Sequence, residues 1–260
     1  MEGEGEQGSE KWKQERKGKL NASKVDDYTG MSPHISAQER WYQMVHLPDK
    51  EEDPNDDMEA GTANEDPLAL EAARMLELRP DQLRQPRSFS HLFYPFIRAS
   101  PDRLISGFEA QPWLMIECKF SRYKLAPRPK VSHLVQTCVQ MQVLCADHCF
   151  LACGYREGCT KEGKWVDGGE IRVRLFYVEY SELLWRWLLR RMLIFERCKR
   201  ERRRPTEQEI PHLGRAVLEY WETGQLPKWL ARKYPEIERD RPDWLRPPQP
   251  LWKILGENFS

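Results

Sequence analysis

A mixed central β-sheet flanked by helices, of the α/β (α+β) class, is the architecture this sequence predicts. Three observations lead there. Runs over 93–99, 102–108, 113–120, 150–155 and 171–180 have the length and apolar character of strands. Residues 131–145 and 181–204 carry helical periodicity instead. Both kinds of segment interleave along one continuous stretch, as in a single layered core, and 260 residues suffice for one such core with loose tails.

The elements follow in order. Residues 1–35 are polar, rich in Gly, Glu and Lys, and predict a disordered tail. Residues 36–47 predict a short helix around Trp41, Tyr42 and Met44, and 48–58 an acidic, proline-containing loop. From Gly61, the spacing of Leu68, Leu70, Ala72, Ala73, Met75 and Leu76 predicts a helix to about Leu78, ending before Arg79-Pro80. Strands over 93–99, 102–108 and 113–120 come next, the last two joined by a turn at 109–112. A helix over 131–145 leads to strands over 150–155 and 171–180, separated by a Gly/Lys loop. A long basic amphipathic helix over 181–204 and another over 207–222 complete the core. The domain division expected is 1–35 tail, 36–225 core and 226–260 Pro/Trp-rich tail.

Lys plus Arg equal Asp plus Glu at 41 each, so the total charge points to no partner. The distribution is uneven: 197–204 is basic and 51–66 acidic, and a neutral total can hide a basic groove. Seven cysteines form an odd set, and the opening Met-Glu-Gly-Glu-Gly-Glu-Gln-Gly is acidic. A reducing compartment, nuclear or cytoplasmic, is expected. No apolar run approaches the ~20 residues that span a bilayer, so no membrane partner is expected.

The chemistry concentrates in Trp113-Leu-Met-Ile-Glu-Cys-Lys-Phe120. On a strand, alternate side chains share a face. Leu114, Ile116, Cys118 and Phe120 point one way; Trp113, Met115, Glu117 and Lys119 point the other. A carboxylate and an ammonium within so apolar a run need partners, and a divalent cation and a phosphate would serve. Upstream, a hairpin return would bring Asp102 of Ser100-Pro101-Asp102 to face Glu117. Asp102, Glu117 and the backbone carbonyl of Cys118 would then hold Mg²⁺ or Mn²⁺, which accepts few protein oxygens. Lys119 would orient or deprotonate the attacking water. The reaction expected is metal-dependent hydrolysis of DNA phosphodiesters.

Asp102, a spacer, then Glu117-x-Lys119 resembles the PD-(D/E)xK nuclease superfamily. Gly61-Thr62-Ala63-Asn64-Glu65 resembles the Gly-Thr-x-x-Glu motif of the YqaJ and lambda-exonuclease family, there at a helix start. Ser100-Pro101-Asp102 resembles its Ser-Pro-Asp-Gly segment. His133-x-x-Gln136-x-x-x-Gln140-Met141, followed by Cys149-Phe150 and Tyr155, resembles its Gln-bearing helix and the strand after it. The resemblance spans roughly 60–180. It implies a restriction-endonuclease-like core and 5′-to-3′ digestion of double-stranded DNA ends in recombination or DNA processing. It also implies Glu65 near the metal through water, Gln136 beside the site placing substrate or nucleophile with Gln140 as its fallback, and Ser100 at a terminal phosphate. A homo-oligomer or a single-strand annealing partner would accompany such an enzyme. Arg103 departs from the family glycine, changing the turn or adding a phosphate contact. The family's N-terminal phosphate-binding arginine has no clear counterpart, and Arg40 is the guess.

Rival readings share these residues. An endonuclease or nickase would use the same site, a non-catalytic nucleic-acid-binding module would keep the fold alone, and an interaction protein would rest on the Trp-rich C-terminal region. Cys145, Cys149 and Cys153 fit no common zinc spacing and are expected as buried free thiols. His133 and His148 are expected as structural or surface groups. The 181–204 helix would bury Leu183, Leu184, Trp187, Leu188, Met192 and Ile194 and present Arg186, Arg190 and Arg191 to solvent or phosphate.

Overall fold

The computed structural model describes residues 2–3, 5–48, 55–105, 114–125, 128–161 and 164–214, with positions 216, 228 and 232. Helix α1 (Glu10–Arg16) leads to strand β1 (Leu20–Asn21), a 3-10 turn at Ala22–Lys24, and helices α2 (Val25–Thr29) and α3 (Ala37–His46). Helix α4 (Asp56–Met75) is followed by a 3-10 turn at Pro80–Gln82 and strands β2 (Leu83–Arg84), β3 (Phe89–Ser90), β4 (Ile97–Ala99) and β5 (Arg103–Ile105). Then come β6 (Leu114–Ser121), α5 (Val131–Leu144), β7 (His148–Tyr155), β8 (Gly158–Lys161), β9 (Lys164–Asp167), β10 (Arg172–Glu179) and α6 (Glu182–Arg200).

The central sheet is mixed, as the sequence predicts, in the order β10-β7-β6-β5-β2. The pair β6–β7 is parallel and the other neighbours are antiparallel. A small second sheet, β1-β4-β3, joins the N-terminal segment to the strand before the site. Helix α4 covers one face of the central sheet, where Leu68, Ala69 and Ala72 meet Ile105, Ile116, Cys118, Ala152 and Leu175. Helix α5 covers the other face, with Met115, Leu151 and Phe176 beneath it and α2 and α6 packed around it. Gly154 of β7 permits the close seat of α4, because a Cβ there would lie 2.8 Å from a Leu68 methyl carbon. No described helix is long and apolar enough to cross a membrane.

Several expectations change. The 1–35 segment does not read as a disordered tail in three dimensions. Ser9 caps α1 by accepting the Trp12 N–H. The Arg98 guanidinium on β4 then pins that helix, at 3.0 Å from Glu15 Oε2 and 2.6 Å from Ser88 Oγ. Leu20, Ala22, Val25, Tyr28 and Met31 are buried, and the Tyr28 ring lies 5.1 Å from that of Phe195 on α6. Gly30 closes α2 in a left-handed conformation with φ 75°, where a Cβ would strike the Pro211 carbonyl. Composition missed this segment because its few large apolar residues have partners far away in the chain. Removing residues 1–35 is therefore expected to abolish a cooperative thermal transition, as five buried core side chains would go together; a truncated protein melting like the intact one would restore the tail reading.

Helix α4 begins five residues before Gly61, with the Asn55 side chain accepting the Met58 N–H. The Gly61–Glu65 motif therefore lies inside a helix, and residues 56–58 are not loop. Only Ile97–Ala99 of the 93–99 run is strand. The His91 imidazole accepts the N–H groups of Phe93 and Tyr94, each at 3.1 Å, and holds a turn there. The Gly/Lys loop after β7 contains the β8–β9 hairpin. Cys149 and Cys153 are buried, whereas Cys145 is exposed as the left-handed cap of α5. On α6, Leu183 is exposed and Arg191 is buried, its guanidinium 3.6 Å over the Trp187 ring. The helix expected over 207–222 does not form over 207–213, which are turn and irregular chain; residues 106–113, 215 and 217–222, and nearly all of the 226–260 tail, lie outside the described residues.

Candidate active site

The antiparallel β5–β6 ladder pairs Arg103 with Ile116 and Ile105 with Leu114. Continued by one residue, it sets Asp102 opposite Glu117. Continued again, it sets Pro101 opposite Cys118. Proline has no N–H to give, so the ladder offers the Cys118 carbonyl no donor from that position. The Cys118 N–H finds a different acceptor, Asp102 Oδ2, at 2.7 Å. The same proline that ends the ladder thus ties the Asp102 carboxylate to β6.

The period-two alternation of β6 holds. Ile116 and Cys118 sit under α4, and Met115 under α5. Glu117 also faces α5 and is buried at 1% exposure. Three donors surround it: Lys119 Nζ at 2.7 Å and the Gln136 amide both reach Oε1, and Gln140 Nε2 reaches Oε2 at 2.8 Å. Gln136 and Gln140 stand one helical turn apart on α5, so both amides address one carboxylate. Gln140 also donates to the Ser100 carbonyl at 3.3 Å, joining α5 to the Asp102 segment. Its own Oε1 is buried without a partner among the described residues.

The charges are strongly coupled. Burial pushes the Asp102 carboxyl well above its ordinary range, and the Glu117 charge adds to this. Lys119 and the Cys118 N–H oppose the rise, and Glu65 reinforces it. For Lys119, burial alone favours the neutral amine, but Glu117 and Asp102 outweigh it and hold the ammonium protonated above its usual range. The Cys118 thiol is pushed up by burial and by the surrounding carboxylates, so it stays a neutral thiol. His133, on the same helix as Gln136, is kept neutral by burial, with Lys119 and Lys130 adding to the effect. His148 lies apart, its Nδ1 2.7 Å from the Tyr177 hydroxyl.

The donor set suits a hard divalent cation. Two buried carboxylates that repel each other would be relieved by one, and the Cys118 carbonyl and the orphaned Gln140 Oε1 are further oxygens beside them. Among the described residues no three His, Cys, Asp or Glu side chains group as a metal site, so a cation here would rest on the two carboxylates and neighbouring carbonyl oxygens. Glu65 and Arg103 stand on the α4 side. Arg103 begins β5 and turns its side chain inward, to Glu65 Oε1 at 2.9 Å, to the Asp66 carboxylate and to the Asp102 carbonyl. It does not present its guanidinium to solvent, being 7% exposed.

A second polar group adjoins the carboxylates. Ser100 Oγ accepts from Arg16 Nη1 at 2.9 Å and from the Trp12 indole at 3.3 Å. Arg16 Nη2 reaches Ser23 Oγ at 3.1 Å, and its guanidinium lies 4.2 Å over the Trp12 ring. No carboxylate among the described residues pairs with Arg16. Burial, with Arg98 adding to it, pushes its pKa down to about 10. Arg40, the earlier guess for this role, is instead paired with Asp27 at 2.5 Å. Arg16 escaped the sequence reading because it sits in a segment read as disordered. No local signal marks it, because Arg16 reaches Ser100 and Ser23 only once α1 is folded against β4.

The basic end of α6 is partly neutralised. Glu196 pairs with Lys199 and Arg200, and Glu209 with Arg197 and Arg203. It is therefore a weaker phosphate track than its sequence suggests.

Comparison with known proteins gives the family. A family profile described as the YqaJ-like viral recombinase domain matches residues 11–148, more than half of the chain. The chain belongs to that family. The match begins within α1 and so takes in the N-terminal segment as well as the carboxylates and the glutamine helix. Membership of this family makes the chain a nuclease acting on DNA. Among solved structures, the chain is similar to the alkaline exonuclease LHK-Exo of Laribacter hongkongensis, with 19% identity and a TM-score of 0.56, over 81% of this chain and 99% of that one. It is also similar to a phage-related exonuclease from Haemophilus somnus 129PT, with 11% identity and a TM-score of 0.53, over 70% of this chain and 94% of that one. At these identities the likeness is one of fold. No curated protein sequence matches the chain.

Proposed function

We propose that this protein is a divalent-cation-dependent exonuclease that digests double-stranded DNA from a 5′ end. The observation that carries the reading is the meeting of Asp102, Glu117 and Lys119, buried or nearly so, beside a desolvated arginine that has two hydroxyls and no carboxylate partner among the described residues. Asp102, Glu117 and the Cys118 carbonyl hold the cation. When bound, Mg²⁺ or Mn²⁺ supplies the Lewis acidity that polarises the scissile phosphate and acidifies the attacking water.

The chain's own residues do the rest. Lys119 stands at the edge of the carboxylate pair, where it orients the attacking water and offsets phosphoryl charge. Gln136 and Gln140 hold the Glu117 carboxylate in one rotamer, and Gln140 also fixes the Ser100–Asp102 segment. Arg16, Ser23 and Ser100 receive a terminal phosphate, for which a fixed guanidinium and two hydroxyls are matched donors. Ser100 stands two residues before Asp102, so a strand end held there passes its next phosphodiester to the carboxylates. The 5′ polarity rests on the family resemblance.

Two substrates test this. Linear duplex should be degraded and covalently closed duplex spared; cleavage of the closed circle would make the enzyme an endonuclease. For Arg16→Ala, loss of a charge-assisted hydrogen bond, worth about 1.5–3 kcal/mol, should slow digestion of 5′-phosphorylated ends roughly 10- to 100-fold. Ends bearing a 5′-hydroxyl should be nearly unaffected. Equal loss on both kinds of end would remove the terminal-phosphate pocket from the reading.

A further inference from the structure

Two carboxylates, Asp102 and Glu117, meet at the Cys118 segment, and Glu65 is joined to it through Arg103. Glu117 lies on the α5 side of Asp102; Glu65 lies on the α4 side, where Arg103 bonds both the Glu65 carboxylate and the Asp102 carbonyl. Two cation positions are therefore conceivable, one between Asp102 and Glu117 and one between Asp102 and Glu65. They differ in what already stands there. Around Glu117 the donors are two neutral amides and one ammonium, and Gln140 Oε1 is left unpaired. On the Glu65 side the space belongs to Arg103. Its guanidinium bonds Glu65, Asp66 and the Asp102 carbonyl with a side chain only 7% exposed. A guanidinium is charged at every accessible pH, and its planar fork fits a carboxylate better than an ammonium would.

We propose that Arg103 is a built-in cation that permanently fills the Glu65 side of the site, so that the enzyme takes a single divalent ion, between Asp102 and Glu117. Glu65 is then the anchor of Arg103 and not a ligand of the metal. Arg103 acts through Asp102: by bonding its carbonyl and the neighbouring Glu65, it fixes where β5 begins and offsets charge on the side that the divalent ion leaves empty. It is a positioning residue, not a catalytic one. This inference rests on the proposed metal-dependent nuclease site and narrows it to one-ion chemistry.

The test counts Mn²⁺ bound per full-length chain by electron paramagnetic resonance, with a short phosphorothioate duplex present and the duplex alone as blank. The native protein should saturate with one ion. Arg103→Gly, which releases Glu65, should take up a second, and the double variant Arg103→Gly with Glu65→Gln should return to one. Two ions in the native protein, or one in folded Arg103→Gly, would overturn the proposal. Should Arg103→Gly fail to fold, Glu65→Gln alone decides: it keeps one ion if Glu65 is an anchor, and loses an ion if Glu65 is a ligand. Glu117→Gln separates this inference from the reading beneath it. If that variant binds Mn²⁺ as the native protein does, the Asp102–Glu117 metal site itself is wrong, whatever Arg103 does.

Discussion

Lys119→Ala is expected to lower DNA cleavage by about 10²–10³-fold or more while leaving the protein folded, since removing one donor to developing transition-state charge has this effect in other enzymes. The position of the ammonium is the reason. It lies 2.7 Å from Glu117 Oε1 with its side chain 23% exposed, between the carboxylates and solvent. In the metal-free protein Glu117 and Asp102 overcome its burial and favour the ammonium, which places a positive charge at the mouth of the site. Lys119→Arg should not restore full activity, because a planar fork cannot occupy the place of a compact ammonium. Steady-state cleavage of a linear duplex, alongside thermal unfolding, measures both halves. A variant that cuts at the native rate would remove Lys119 from the mechanism.

Asp102→Asn should eliminate cleavage and at the same time stabilise the metal-free protein at neutral pH. The native Asp102 carboxyl binds its proton more tightly than the unfolded chain does, whose value is near 3.8. The stability this group contributes is therefore complete below about pH 4 and lost as pH rises through the native pKa. As pH rises, the unfolded chain gives up the Asp102 proton freely, whereas the folded metal-free protein must keep it or bury the charge. Asparagine removes the charge and keeps an oxygen to accept the Cys118 N–H. A gain of about 1–3 kcal/mol is expected, or roughly 2–4 °C in Tm per kcal/mol for a chain of this size. With a chelator present, the Tm gap between variant and native protein should widen from pH 5 to pH 8. Added Mg²⁺ should raise the Tm of the native protein and not that of the variant. A variant less stable than the native protein at pH 8 would contradict the buried-charge account of the site.

The features legible in the sequence are those set by local periodicity. Alternation along 113–120 placed Glu117 and Lys119 on the face opposite Ile116 and Cys118, and the strand keeps that alternation. A hairpin return from Ser100-Pro101-Asp102 implied that Asp102 faces Glu117, and the β5–β6 register brings it there. The four-residue interval between Gln136 and Gln140 implied one helical face, and both amides reach Glu117. Each of these follows from the fixed repeats of strand and helix.

What a charged group pairs with is not periodic, and tertiary structure decided it. Arg103 read as a possible phosphate contact until folding brought Glu65, thirty-eight positions away in the chain, to its guanidinium. Arg16 lay in a segment that composition assigned to disorder, yet eighty-four positions separate it from the Ser100 hydroxyl it holds. The same segment looked too polar to fold, because Leu20, Val25, Tyr28 and Met31 are few. They are buried by helices α5 and α6, whose sequences are distant from theirs. Local repeats are enough to place the strand faces, the glutamine helix and the carboxylate pair. Burial and Coulomb interaction act through space and not along the chain, so which cation faces each carboxylate emerges only on folding.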